Sequence, residues 1–245
     1  MSDTTYTDFG SGAVLSQSLQ VFGRNCLPFI ALALLLISPA YLLAGWLVWE
    51  GNFIQSIPPA ALQFGLTILE SLLGFIVHAA VVYGTFRDLR GQKTGFAANF
   101  AGGFGSVVPV LAVAIVSGLI VIFGLFLLVV PGLIFAAMYW VAVPAAVVEK
   151  TGVKDSLSRS AALTSGERWK VFGIIVIIGF AQVFFERGID PFLDYENALL
   201  LSMAITLLYS ASLTAFGAVA SAVTYHQLRR VKEGTGVEEI AAVFD

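Results

Sequence analysis

The chain has 245 residues, 58% hydrophobic and only 12% charged, with a mean hydropathy of +0.89. Soluble domains carry about 25% charged residues, so these values exclude an ordinary globular protein and point to an integral membrane protein. A net charge of −3 gives no basic footprint for a nucleic-acid partner, and the lone cysteine, Cys26, excludes an internal disulfide and a cysteine-based metal cluster.

The first 26 residues are polar or amphipathic, carry one basic residue, Arg24, and lack the form of a signal peptide. The uncharged run 27–48 is long enough to span a bilayer, which takes about 20 apolar residues. Pro58 and Pro59 punctuate the start of a second run, which reaches Phe86 and is interrupted by Glu70 and His78. From 94 to 148 there is no charged residue. At about 1.5 Å per residue, one helix of that length would far exceed the bilayer, so the segment must fold back. Pro131-Gly132 is the natural turn, giving spans over 107–130 and 133–148, the second kinked at Pro144. The run 171–185 is the shortest span, and 197–228 is longer than a span needs and is expected to protrude into the cytoplasm.

The expected fold is therefore all-α: a single polytopic membrane helix bundle over 1–245. It comprises an N-terminal amphipathic segment (1–26), a six-span bundle (27–228) and a tail helix (229–245). Orientation follows from Lys and Arg rather than net charge. Of thirteen such residues, Arg187 alone falls on one set of flanks. The other set holds Arg24, Arg87, Arg90, Lys93, Lys150, Lys154, Arg159, Arg168, Lys170, Arg229, Arg230 and Lys232. Both termini are accordingly expected in the cytoplasm. Glu50, Glu186, Asp190, Asp194 and Glu196 fall outside, Trp46 and Trp49 in an outer aromatic belt, and Trp169 in an inner one.

Between spans on the basic side a polar device recurs. Ser11-Gly12, Thr94-Gly95, Thr151-Gly152 and Thr235-Gly236 each precede a run of helical periodicity. Ser and Thr make good N-caps, and Thr235 with Glu238 has capping-box spacing. The expected apolar stripes are Val14, Leu15, Leu19, Phe22 and Cys26; Phe96, Phe100 and Phe104; Val153, Leu157 and Ala161; and Val237, Ile240, Ala241 and Phe244. Such helices can lie in the interface with basic groups near headgroups. Two organisations fit: three units of a short helix followed by a transmembrane hairpin, or unrelated interfacial linkers.

The chemistry-bearing residues are few. Glu70 and His78 are ionisable at membrane depth, where such groups are costly and often functional. They stand about 12 Å apart along one helix, so other helices must supply their partners. Either they line a proton or solute path, or they make interhelical hydrogen bonds. Arg159, Arg168 and Lys170 are candidates for binding anionic headgroups, or serve as topology-setting charge. Glu149 and Arg159 are placed to pair. Ser156, Ser158 and Ser160 lack a nucleophile turn and a nearby His, so small residues for close packing is the better reading. The glycines of "AGGFG" follow no strand and precede no Lys-Ser/Thr; close packing or a helix break remains. No catalytic residue, metal ligand or cofactor site is expected.

The segment from 129 to 173 carries Pro131-Gly132, Trp140, Pro144, Glu149, Gly152, Leu157, Arg159, Ser160, Leu163, Thr164, Gly166, Trp169 and Gly173. With Tyr225, Leu228, Arg229, Glu233, Gly234 and Phe244 in the tail, it resembles the glycerophosphoryl diester phosphodiesterase membrane domain and related small YciC-like bacterial inner-membrane proteins. The resemblance covers most of the chain and implies an inner-membrane location. In that family the hydrolytic chemistry belongs to a separate soluble barrel, so it implies no activity here. The expected function is a non-enzymatic inner-membrane protein. Its partners would be the lipid bilayer, including anionic headgroups, and a membrane-protein partner or a second copy of itself. The alternative is a small solute or ion transporter or channel using Glu70 and His78.

Overall fold

Residues 9–50, 57–92, 95–195 and 197–234 are described in a computed structural model; the side chains of 48–50 are not. The expectations for Lys93, for Thr94 and Thr235 as caps, for the tail beyond 234, for Glu196, and for the side chains of Trp49 and Glu50 lie outside these described residues; residues 229–233, expected in a separate tail helix, instead continue the last spanning helix, Leu199–Glu233.

The fold is all-helical, with six helical segments long and apolar enough to cross a membrane. In chain order the helices are α1 (Ser11–Arg24), α2 (Cys26–Glu50), α3 (Pro59–Leu89), α4 (Phe96–Phe104), α5 (Val107–Leu127), α6 (Val129–Tyr139), α7 (Ala142–Glu149), α8 (Val153–Thr164), α9 (Arg168–Gly188) and α10 (Leu199–Glu233), with a 3-10 turn at Asp190–Phe192. The spans are α2, α3, α5, α6 with α7, α9 with the 3-10 turn, and α10. A short helix followed by two spans thus occurs three times.

Local chemistry explains most boundaries. Pro59 opens α3 at its first position, where a missing N–H costs nothing. The hairpin between α5 and α6 turns at Leu128, in extended conformation, three residues before the expected Pro131. Pro131 instead lies in the first turn of α6, where its missing N–H is again no loss. Gly132 allows the close return: a Cβ there would stand 2.6 Å from the backbone N of Leu125.

The kink expected at Pro144 is a break at Trp140 and Val141, between α6 and α7. The proline ring displaces the carbonyl four residues before it, that of Trp140, so the chain opens upstream of the proline. Proline then sits in the first turn of the restarted helix.

The short helices differ from expectation in two respects. Their N-caps are Gly10, Gly95 and Gly152, none with a side-chain cap bond. Ser11 is already helical, and Thr151 precedes the cap and bonds the Ser156 hydroxyl at 3.0 Å instead. Their most buried positions include small and polar side chains, and the expected stripes turn inward only in part: Val14 is buried, and Leu15, Phe22, Phe100, Val153 and Leu157 pack half-buried against the core. In α1 the buried residues are Val14, Ser18 and Val21, while Leu19 is exposed. In α4 they are Asn99 and Gly103, while Phe96 and Phe104 point outward. In α8 they are Ser156, Ser160, Leu163 and Thr164. Lipid tails are as apolar as a phenylalanine, so close backbone approach through small residues, not burial of large ones, organises such contacts.

Burial concentrates at one end of the bundle. The buried core joins residues 77–86 of α3, 141–148 around α7 and 211–228 of α10. The other end presents large side chains such as Phe126, Phe192 and Leu200 outward. In water such surface would be a liability; on a membrane span it is lipid contact.

Candidate functional site

The tight end is also the basic end. Asp88, at the foot of α3, accepts hydrogen bonds from Arg24 at 2.6 Å and from the Asn25 amide at 2.8 Å. This fixes the corner between α1 and α2 against the end of the second span. Neither partner of Asp88 was legible from spacing, since the residues lie more than sixty positions apart.

A second network joins α7, α8 and α10. The Glu149 Oε1 accepts the Nε–H of Arg159 at 2.6 Å and the hydroxyl of Tyr225 at 2.6 Å. The other end of the Arg159 guanidinium pairs with Glu233, which also takes the Nε of Arg229 at 2.9 Å. Burial alone would lower the Arg159 pKa, but its hydrogen bonds to the Glu233 and Glu149 carboxylates outweigh that and hold it above its ordinary value. Lys232 donates to the carbonyls of Ala162 and Ser165, at 2.9 and 2.5 Å. It thereby adds a second donor to the Ala162 carbonyl, which already accepts the Ser165 N–H, and ties the end of α8 to α10. The expected pairing of Glu149 with Arg159 is present; Tyr225 and Glu233 are the partners that periodicity did not reveal.

The third attachment uses the helix break. The carbonyl of Met138, beside the break, accepts the Ser160 hydroxyl at 2.7 Å, with the Thr164 hydroxyl 3.3 Å away and nearer to the Ser160 carbonyl, at 2.9 Å. A backbone acceptor without its helical donor is costly in an apolar setting, and α8 supplies the replacement. Ser156 and Ser160 are buried, as close packing requires, whereas Ser158 is exposed.

The three candidate headgroup residues fall in different surroundings. Arg159 is committed to two carboxylates. Lys170 pairs with Glu167 at 3.1 Å. Arg168 makes no ion pair among the described residues, and its Nε is shielded from solvent without a hydrogen-bond partner. It borders a cleft between α6 and α9.

The intramembrane pair is resolved into two separate contacts. The Glu70 Oε1 accepts hydroxyls from Tyr41 of α2, at 3.1 Å, and Ser210 of α10, at 2.7 Å. His78 Nε2 stands 2.8 Å from the Ser221 hydroxyl, which also reaches the Ala218 carbonyl at 3.0 Å. If Ser221 gives its one proton to that carbonyl, His78 carries the proton on Nε2 and donates. Both residues thus tie α3 to α10, as hydrogen bonds between helices. Other helices supply the partners, as the spacing required, and nothing local in the sequence marks Tyr41 or Ser221.

Clefts lie elsewhere. One, between α1 and α10, is lined by Ser16, Gln17, Gln20, Gln227 and Arg230 among others, with Gln227 donating to Gln17 at 2.7 Å. Another involves Tyr83, Gly102, Pro109 and Lys150. The third, beside Arg168, is the most apolar in its walls, with Leu133, Ile134 and Phe172.

Comparisons with protein-family models, with curated proteins and with solved structures found no match for this chain.

Proposed function

We propose that this is a non-enzymatic multi-pass protein of a bacterial inner membrane that interacts with lipid at its basic end and braces a membrane assembly there. The observation that carries the reading is how its cations are divided. Arg24, Arg159 and Arg229 are committed to carboxylates. Lys154, Arg168 and Arg230 make no hydrogen bond or ion pair among the described residues, while sitting on or beside the same interfacial helices. Structural pairing accounts for the first set; anionic headgroups are natural partners for the second.

The family reading stands as part of this proposal. Trp140, Pro144, Glu149, Arg159, Ser160 and Thr164 carry the resemblance to the glycerophosphoryl diester phosphodiesterase membrane domain. The same residues lie at the break in the fourth span or in the contacts that hold α8. That supports a shared membrane scaffold, with bracing rather than catalysis as the role of these positions.

The test is lipid retention. Native mass spectrometry of the full chain in mild detergent is expected to show retained anionic phospholipid, reduced in the triple variant K154Q/R168Q/R230Q. Unchanged lipid content in that variant would overturn the reading.

Glu70 favours a second reading, transport, because a carboxylate inside a span is the residue type such pathways use. It predicts solute or proton flux in proteoliposomes that E70Q abolishes. Flux equal to empty vesicles removes it.

A further inference from the structure

The cleft between α6 and α9 has a composition that selects its occupant. Its walls include Leu133, Ile134 and Ala137 from α6 and Phe172 from α9, with Arg168 and Trp169 at the start of α9. It holds about 280 Å³. Pockets that enclose a whole drug-sized ligand run from roughly 300 to 1,000 Å³, so this one suits part of a long molecule. Both helices belong to membrane-spanning segments, so the walls face acyl chains.

Arg168 sets the remaining requirement. Its Nε is shielded from solvent and has no acceptor. The neighbouring carboxylate, Glu167, is paired with Lys170 at 3.1 Å. No acidic residue lines the cleft. The half-exposed Arg168 side chain makes no hydrogen bond or ion pair among the described residues, and the planar fork of arginine matches a phosphate. A zwitterionic headgroup would bring a second cation to a lining that has no carboxylate to receive it. Trp169 is 81% exposed and meets Phe172 edge-on with ring centroids 6.0 Å apart. An indole in that position suits the boundary between chains and headgroups.

We propose that the α6/α9 cleft binds one phospholipid of net negative charge, its phosphate on Arg168 and an acyl chain along α6. This rests on the lipid-interacting reading above and gives it a site and a lipid class.

Trp169 is a built-in reporter. The full chain is reconstituted with brominated-chain phosphatidylglycerol or brominated-chain phosphatidylcholine diluted into unlabelled lipid, and the fluorescence difference between wild type and W169F isolates this indole. One cation near anionic lipid is worth about a fivefold preference. Trp169 is therefore expected to be quenched at about a fivefold lower fraction of the glycerol lipid, with R168Q abolishing the difference and R168K retaining part of it. Equal quenching by the two lipids in the wild type overturns the proposal, and that comparison decides the matter even if R168Q does not fold. Native mass spectrometry separates the two failures. Anionic lipid retained despite equal quenching places it elsewhere and leaves the general reading standing; no retained lipid removes both.

Discussion

The Nε of Arg159 stands 2.6 Å from Oε1 of Glu149, across the turn that joins α7 to α8. That turn runs through Lys150, held at a positive φ of 50°. Left-handed backbone is unfavourable for a residue with a side chain, and the ion pair just beyond it holds the two helices in place. The side chains are 26% and 22% exposed, so the pair is neither a free surface contact nor a fully desolvated one. Removing the cation alone leaves Glu149 and Glu233 facing each other's charge. R159A is expected to cost about 2 kcal/mol, between the surface and buried limits. E149Q should cost less, because Tyr225 can still donate to the amide oxygen and Arg159 keeps Glu233. Thermal unfolding in detergent should rank them in that order; equal and negligible shifts would show that the network contributes nothing.

Gly103 is where α4 meets α3. A Cβ there would stand 2.8 Å from the backbone N of Ala80, with the Ala80 Cα closer still. Backbone cannot rotate aside as a long side chain can, so G103A must push the helices apart. Overpacking of this kind costs typically 1–3 kcal/mol, about 2 kcal/mol here. Gly105, two residues on, has open space around its would-be Cβ, so G105A is the matched control and should leave the melting midpoint in place. Equal midpoints for both variants would mean that the close approach is not a stabilising contact.

The span count and the clustering of charge were legible because both depend on composition over long windows. Bilayer thickness fixes the length of an apolar run, so six spans could be counted from the chain alone. The Glu149–Arg159 pair was legible because one tight turn separates its members. What composition could not give was direction. The stripes Phe96, Phe100, Phe104 and Val153, Leu157, Ala161 have helical period, and α4 and α8 form where expected. A helix at a membrane surface, however, can leave large residues against lipid rather than bury them. In α4 Asn99 and Gly103 face the bundle while Phe96 and Phe104 stay outward, and in α8 Ser156 and Ser160 are buried with Val153 and Leu157 packed only half-buried beside them. Tyr41, Asp88, Ser221 and Tyr225 were missed for a different reason: each meets a partner tens of residues away, and nothing local marks it.

Ser160 illustrates how a serine-rich segment serves structure. Its hydroxyl reaches the Met138 carbonyl at 2.7 Å, beside the break that Pro144 opens. Interhelical hydrogen bonds in membranes average about 0.6 kcal/mol and reach about 1.7 kcal/mol. S160A should fall in that range, with Thr164, at 3.3 Å from the same carbonyl, taking over part of the role. S160A/T164V should therefore cost more than the two single changes summed. S158A, at an exposed position, should be silent. Additive single effects measured by thermal unfolding would show that the two hydroxyls do not share the acceptor.

Orientation is the remaining quantity that the charges predict. Twelve of thirteen Lys and Arg residues flank one set of span ends, and the contacts of Arg24 with Asp88 and of Arg159 with Glu149 and Glu233 draw those ends together at one pole of the bundle. Asp88, Glu149, Asp155, Glu167 and Glu233 share that pole, but acids contribute little to insertion, which follows the count of Lys and Arg in short flanks. The basic pole should face the cytoplasm. In a C26S background, D194C should react with a membrane-impermeant maleimide in intact cells, because Asp194 lies in the short connection between α9 and α10 at the other pole. K154C, on exposed α8 surface, should react only after the cells are opened. The reverse pattern would place the acidic pole inside, and it would also remove the anionic inner leaflet as the partner of Lys154, Arg168 and Arg230.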